Sequence, residues 1–99
     1  MIDLERIEGF QWDAGNARKS ADKHGVPQAE AEQVFFDSRL LLVEDRAHSK
    51  QETRFHALGC AETGRLLHVT FTLRSDGTLI RVISARDMHR KERARYEEG

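Results

Sequence analysis

Five residues of the C-terminal half have the types that phosphodiester chemistry needs: Arg54, His56, His68, Arg81 and Arg86. Strand side chains alternate between faces. Within Arg65–Arg74, Leu67, Val69, Phe71 and Leu73 therefore share one side, and His68, Thr70, Thr72 and Arg74 share the other. Thr78–Arg86 reads as the next strand, and in it Arg81 interrupts an apolar stretch between Ile80 and Val82. His56 falls on a separate strand, so that it and His68 can face each other. Cleaving RNA without a metal requires a base for the 2′-hydroxyl, cationic donors for the pentavalent phosphorus and an acid for the departing 5′-oxygen. Histidine serves as acid or base near neutrality. The planar arginine fork matches phosphate oxygens and keeps its charge. General acid–base help is worth about 10²–10⁴-fold, and electrostatic stabilisation usually contributes more. A sheet that buries one face and presents His, Thr and Arg on the other points towards RNA.

The elements that must hold these residues follow from local pattern. Gly9–Asp13 reads as a short strand running into a helix cap, Asp13 being a natural acceptor for the free N–H groups of a first turn. Ala14, Ala17 and Ala21 recur at helical spacing, and Gly25 supplies the stop. Pro27 suits the start of a second helix, whose Ala31, Val34 and Phe35 form an apolar stripe ended by Asp37-Ser38. Strands are expected at Arg39–Asp45, Arg54–Gly59, Arg65–Arg74 and Thr78–Arg86. Turns fall at Glu62-Thr63-Gly64 and Ser75-Asp76-Gly77, the second a strong hairpin signal. Asp87–Glu98 has helical composition, with Met88 and Tyr96 its large apolar residues. The order β-α-α-β-β-β-β-α predicts one α+β domain over residues 1–99. Two N-terminal helices and a C-terminal helix pack on an antiparallel sheet of four to five strands, with one sheet face partly open.

Composition narrows the function. A chain of 99 residues forms a single core. Its apolar fraction of 38% is too high for disorder. No apolar run approaches the roughly 20 residues that span a bilayer, and acidic Asp3 and Glu5 stand where a signal peptide is basic. A cytoplasmic location with no membrane association is expected. Cys60 is the single cysteine, which excludes an intrachain disulfide and a thiolate cluster. The five histidines lack zinc-site spacing, so no metal or cofactor is predicted. Residues 1–53 hold seven Lys and Arg against eleven Asp and Glu, whereas residues 54–99 hold nine against six. The basic half suits a local anion site, and the overall charge of −1 argues against broad duplex binding.

Several segments taken together resemble the BrnT family. They are Lys23-His24-Gly25-Val26, Val34-Phe35-Phe36-Asp37, Glu52-x-Arg54-x-x-x-Leu58-Gly59, Gly64-Arg65-Leu66-Leu67, and Arg81–Arg86 with Glu92-Arg93 and Tyr96-Glu97. Similarity runs from about Phe10 to Glu98. The resemblance implies a RelE-like fold and an endoribonuclease toxin that cleaves mRNA and inhibits translation. It further implies a partner, a BrnA-like antitoxin with a DNA-binding domain, so that operator DNA is reached only through the complex.

Each candidate also has a plainer reading. A lone strand arginine usually lays its stem along the sheet and reaches solvent, and Arg86 is equally suited to pair with the C-terminal helix. A partly buried histidine is commonly a satisfied core residue. Lys23 and His24 suit a helix C-terminus; their place in the family's Lys-His-Gly motif makes them secondary RNA-binding candidates, with Arg74, Arg90 and Lys91. Glu52 shares a face with Arg54 and suits a pair that orders the strand edge. Asp13, Asp76 and Asp87 read as cap and turn residues, and Trp12 as core. The rival to an enzyme is a non-catalytic binding module, or a degenerate toxin kept as co-repressor with its antitoxin.

Overall fold

Alternation along the longest strands decides which side of the sheet becomes the core. In the computed structural model, which describes residues 2–16, 24–47 and 52–99, five strands form one sheet. They are β1 (Gly9–Phe10), β2 (Leu41–Asp45), β3 (Arg54–Cys60), β4 (Leu66–Arg74) and β5 (Leu79–Asp87), in the spatial order β1-β5-β4-β3-β2. Four strands pair antiparallel as a meander. The edge strand β1 runs parallel to β5, so the sheet is mixed rather than wholly antiparallel. A connection that includes helix, rather than a hairpin, separates β1 from the meander and permits the parallel pairing.

One face carries Ala57, Leu67, Val69, Phe71, Ile80, Val82 and Ala85. The helix Gln28–Gln33 and its 3₁₀ continuation Val34–Phe36 cover it with Ala31 and Val34. Phe35 packs edge-on against Phe71 at 4.9 Å between ring centroids, and Phe55 stacks on Phe71 at 5.5 Å. Close approach of this layer requires Gly59, because a Cβ there would lie 2.7 Å from Val34 Cγ1.

Local chemistry sets the ends of the elements. Asp13 Oδ1 accepts from Asn16 N–H while Asn16 Oδ1 accepts from Asp13 N–H, a reciprocal cap for helical residues 14–16. Asn16 is buried and its Nδ2 donates to the carbonyls of Gln11 and Val82, tying that cap to the sheet. Ala17, Ala21 and Lys23 lie outside the described residues. Helical residue 24 is followed by Gly25 at φ +64°, the expected stop. The β4–β5 hairpin turns through positive φ at Ser75, Asp76 and Gly77. The last helix spans Arg90–Glu98 and starts later than predicted. His89 is its cap, in a box closed by Glu92, and Asp87 instead ends β5 with its carboxylate on Arg65.

That helix covers one end of the second sheet face. Tyr96 and Met88 pack on Leu58 there, and the Tyr96 hydroxyl donates to Asp37. Burial and this carboxylate push the Tyr96 pKa up to about 12, so the hydroxyl remains a donor at neutral pH. The rest of the second face is left to polar side chains.

Candidate active site

β3 and β4 place two histidines side by side on that second face. Ala57 and Phe55 point into the core, so alternation sends Arg54, His56 and Leu58 the other way. On β4 the same rule sends His68, Thr70, Thr72 and Arg74 outward from the core. In register His56 opposes Thr70, and the His56 and His68 rings lie 4.7 Å apart between centroids.

β5 brings arginine to the same place through an irregularity. Strict alternation would put Arg81 and Arg86, five positions apart, on opposite faces. Thr70 pairs with Ser84 but Phe71 pairs with Val82, so Ile83 is an extra residue in β5. This bulge resets the alternation. Val82 and Ala85 both reach the core, while Arg81 and Arg86 both face the histidine side. Arg86 is the cross-strand neighbour of His68, and Arg81 that of Thr72.

The bonds at the histidine end are specific. His56 Nε2–H donates to Asp45 Oδ2 at 2.8 Å, and His56 Nδ1 meets Thr70 Oγ1 at 3.0 Å. Arg86 holds Glu92 with both terminal nitrogens, at 2.8 and 2.9 Å, and also donates to the Asp87 carbonyl. Glu92 accepts from His89 N–H as well. The Arg86 fork, aided by that N–H and opposed by burial, holds the Glu92 carboxyl down to about 2. Burial, then the Arg86 charge, pushes His68 down to about 4, although Glu92 pulls the other way. At neutral pH His68 is therefore an uncharged imidazole. It is 8% exposed, and its Nδ1 is buried without a hydrogen-bond partner among the described residues. A buried polar nitrogen left unpaired costs about 1–3 kcal/mol, which a fold tolerates most readily where function uses the group. His56, His68, Lys91, Glu92 and Arg95 line an open pocket floored by Val43 and Leu58.

The other sequence candidates are distributed. Arg54 opposes Asp45 at the start of β3, on the His56 face. Arg81 sits further along the same face, bonded to Asp13 at 3.0 Å and to Gln11 at 3.2 Å. Arg74 pairs with Glu52 at the hairpin end. Arg90 is exposed at the start of the last helix, and Lys91 borders the pocket. His24 lies at the Asp87 end of the sheet, its carbonyl accepting from Arg65. Lys23 lies outside the described residues. The structure thus gathers His56, His68 and Arg86, with Lys91 at the rim, and sets Arg54, Arg81 and Arg74 along the face away from them. Asp45, Thr70 and Glu92 join the site without having been singled out for it. Among the described residues no three or more His, Cys, Asp or Glu side chains are arranged to hold a metal ion.

The fold is α+β, a five-stranded mixed sheet with helices packed on it. The structure is similar to the crystal structure of the Brucella abortus ribonuclease toxin, BrnT, with a TM-score of 0.62 and 20% sequence identity, covering 83% of this chain and 97% of that one. The family described as ribonuclease toxin, BrnT, of type II toxin–antitoxin system matches residues 12–92. This chain belongs to that family. No curated protein matches the sequence significantly.

Proposed function

We propose that this chain is a metal-independent endoribonuclease that cleaves mRNA and halts translation in the cytoplasm, and that a BrnA-like antitoxin neutralises it. The antitoxin carries the DNA-binding domain, so operator DNA is met only by the complex. The observation that supports this reading most is the His56–His68 pair, 4.7 Å apart on the open polar face with Arg86 in register beside it. In this scheme His56 takes the proton of the 2′-hydroxyl as that oxygen attacks the adjacent phosphorus. Arg86 steadies the charge that builds on the phosphoryl oxygens. His68 donates an uncharged N–H to the same group, a role that suits a neutral imidazole, and the departing 5′-oxygen takes its proton from solvent water at the open pocket mouth. The phosphate competes with the Glu92 carboxylate for the Arg86 fork. Lys91 and Arg90 on the last helix, with Arg54, Arg81 and Arg74 along the sheet, meet flanking phosphates, and Lys23 and His24 serve as secondary contacts.

One feature favours the second reading, a non-catalytic module or co-repressor. Glu92 already satisfies the Arg86 fork from within the chain. Purified protein freed of its antitoxin and incubated with RNA in EDTA separates the two. The enzyme yields 2′,3′-cyclic phosphate and 5′-hydroxyl ends; intact RNA from well-folded protein selects the binding module.

A further inference from the structure

His56, which lines the pocket, also belongs to a second arrangement, built on the outer strand. Val43 of β2 opposes His56 of β3, and Asp45, two residues on, shares the Val43 face. Its carboxylate therefore reaches diagonally to His56, while Thr70 reaches the same ring from β4 in direct register. The imidazole is held at both nitrogens by two different strands.

These contacts fix chemistry as well as position. A carboxylate has no proton to give, so the 2.8 Å contact to Asp45 Oδ2 places a hydrogen on His56 Nε2. In the neutral ring the lone pair is then on Nδ1, and the Thr70 hydroxyl donates to it across 3.0 Å. The side chain of Asp45 is only 11% exposed, which strengthens its hold on the ring relative to a surface pair.

We propose that Asp45 positions His56 for the ribonuclease reaction and that Thr70 connects it to substrate: Asp45 sets the Nε2–H tautomer of His56, and the Thr70 hydroxyl relays the proton, its Oγ1 taking the 2′-hydroxyl proton as its own passes to the Nδ1 lone pair it already engages. This rests on the reading of the site as a ribonuclease. It goes beyond that reading by naming the nitrogen that works and the groups that select it. The rival explanation is architectural. Arg54 faces Asp45 across the β2–β3 ladder, and a carboxylate there could serve strand register alone.

The tautomer distinguishes these accounts without reference to activity. Long-range ¹⁵N–¹H correlation of the full chain, at a pH where the ring is neutral, is expected to show His56 as Nε2–H. Asp45→Asn, which can donate to Nε2, is expected to move it towards Nδ1–H. In single-turnover cleavage Asp45→Asn should lose rate within the ~10²–10⁴-fold range of general acid–base help while RNA affinity is unchanged, and Asp45→Glu should recover part of the loss. Thr70→Val should retain the Nε2–H form but cleave more slowly, with Thr70→Ser restoring the rate. A dispersed amide spectrum establishes that each variant is folded. An Nδ1–H ring in the unaltered protein, or a folded Asp45→Asn with both the original tautomer and the original rate, overturns the proposal. If the unaltered protein shows Nε2–H and Asp45→Asn flips it, yet neither cleaves RNA, the ribonuclease reading fails and the tautomer control by Asp45 stands.

Discussion

β4 buries two opposite kinds of surface. On one side Leu67, Val69 and Phe71 are sealed beneath the helix Gln28–Gln33 and its 3₁₀ continuation; on the other, His68, Thr70 and Thr72 are almost equally hidden. Burial is favourable in itself on the first side, about 25 cal/mol per Å² of apolar surface. On the second side every polar atom must find a partner or carry a penalty. Thr72 finds the Thr53 carbonyl and Thr70 finds His56, whereas His68 Nδ1 finds none among the described residues. Equal burial thus stabilises on one face and carries a hydrogen-bonding demand on the other.

The harshest challenge to this contrast is to make the polar face apolar. His68→Leu removes a buried imidazole whose Nδ1 has no hydrogen-bond partner among the described residues and should leave stability unchanged or raised, as replacing an unsatisfied polar group by an apolar one of similar shape often does. Cleavage should fall by about 10²-fold or more. Urea midpoints and single-turnover rates measure both, and retained cleavage would remove His68 from the site. The converse substitution, Phe71→Ala, should cost about 3–5 kcal/mol but leave the rate per folded molecule intact. A smaller loss, about 1–3 kcal/mol for overpacking, is expected of Gly59→Ala, whose new Cβ meets Val34.

Acid titration separates the two faces further. His68 has its ordinary value of 6.5 when unfolded and about 4 when folded, so between these values the unfolded chain binds the extra proton and stability falls as pH is lowered. Glu92 adds a second loss from 4.5 down to about 2, again because the unfolded chain protonates first. Denaturation across this range should show both steps, with His68→Leu deleting the upper and Glu92→Gln the lower. The smallest effect is expected of Arg81→Gln. Arg81 is engaged by Asp13 and Gln11 away from the histidine pair, so this variant should retain more cleavage than Arg86→Gln.

Much of the apolar face was legible in the sequence, because alternation at Leu67, Val69 and Phe71 and the spacing of Ala31, Val34 and Phe35 are local signals. The two histidines were legible for the same reason. The convergence of Arg86 was not, since it depends on the bulge at Ile83, and no turn residue or glycine marks that position. Asp45 and Glu92 were hidden differently. One lies at the end of an edge strand, where a carboxylate reads as a turn residue. The other reads as an ordinary member of a charged helix, although its position three residues after His89 fits a capping box. The parallel seat of β1 was also out of reach, because a two-residue strand carries no pairing signal.

The decisive check on where the site lies is a titration with an RNA oligonucleotide methylated at its 2′-oxygens, which binds without being cut, while side-chain resonances are followed. The ring signals of His56 and His68 and the guanidinium signals of Arg86 should move first and together. Shifts confined to the opposite, helix-covered face or to the β4–β5 hairpin, with the histidine rings unmoved, would contradict a site built on the histidine pair.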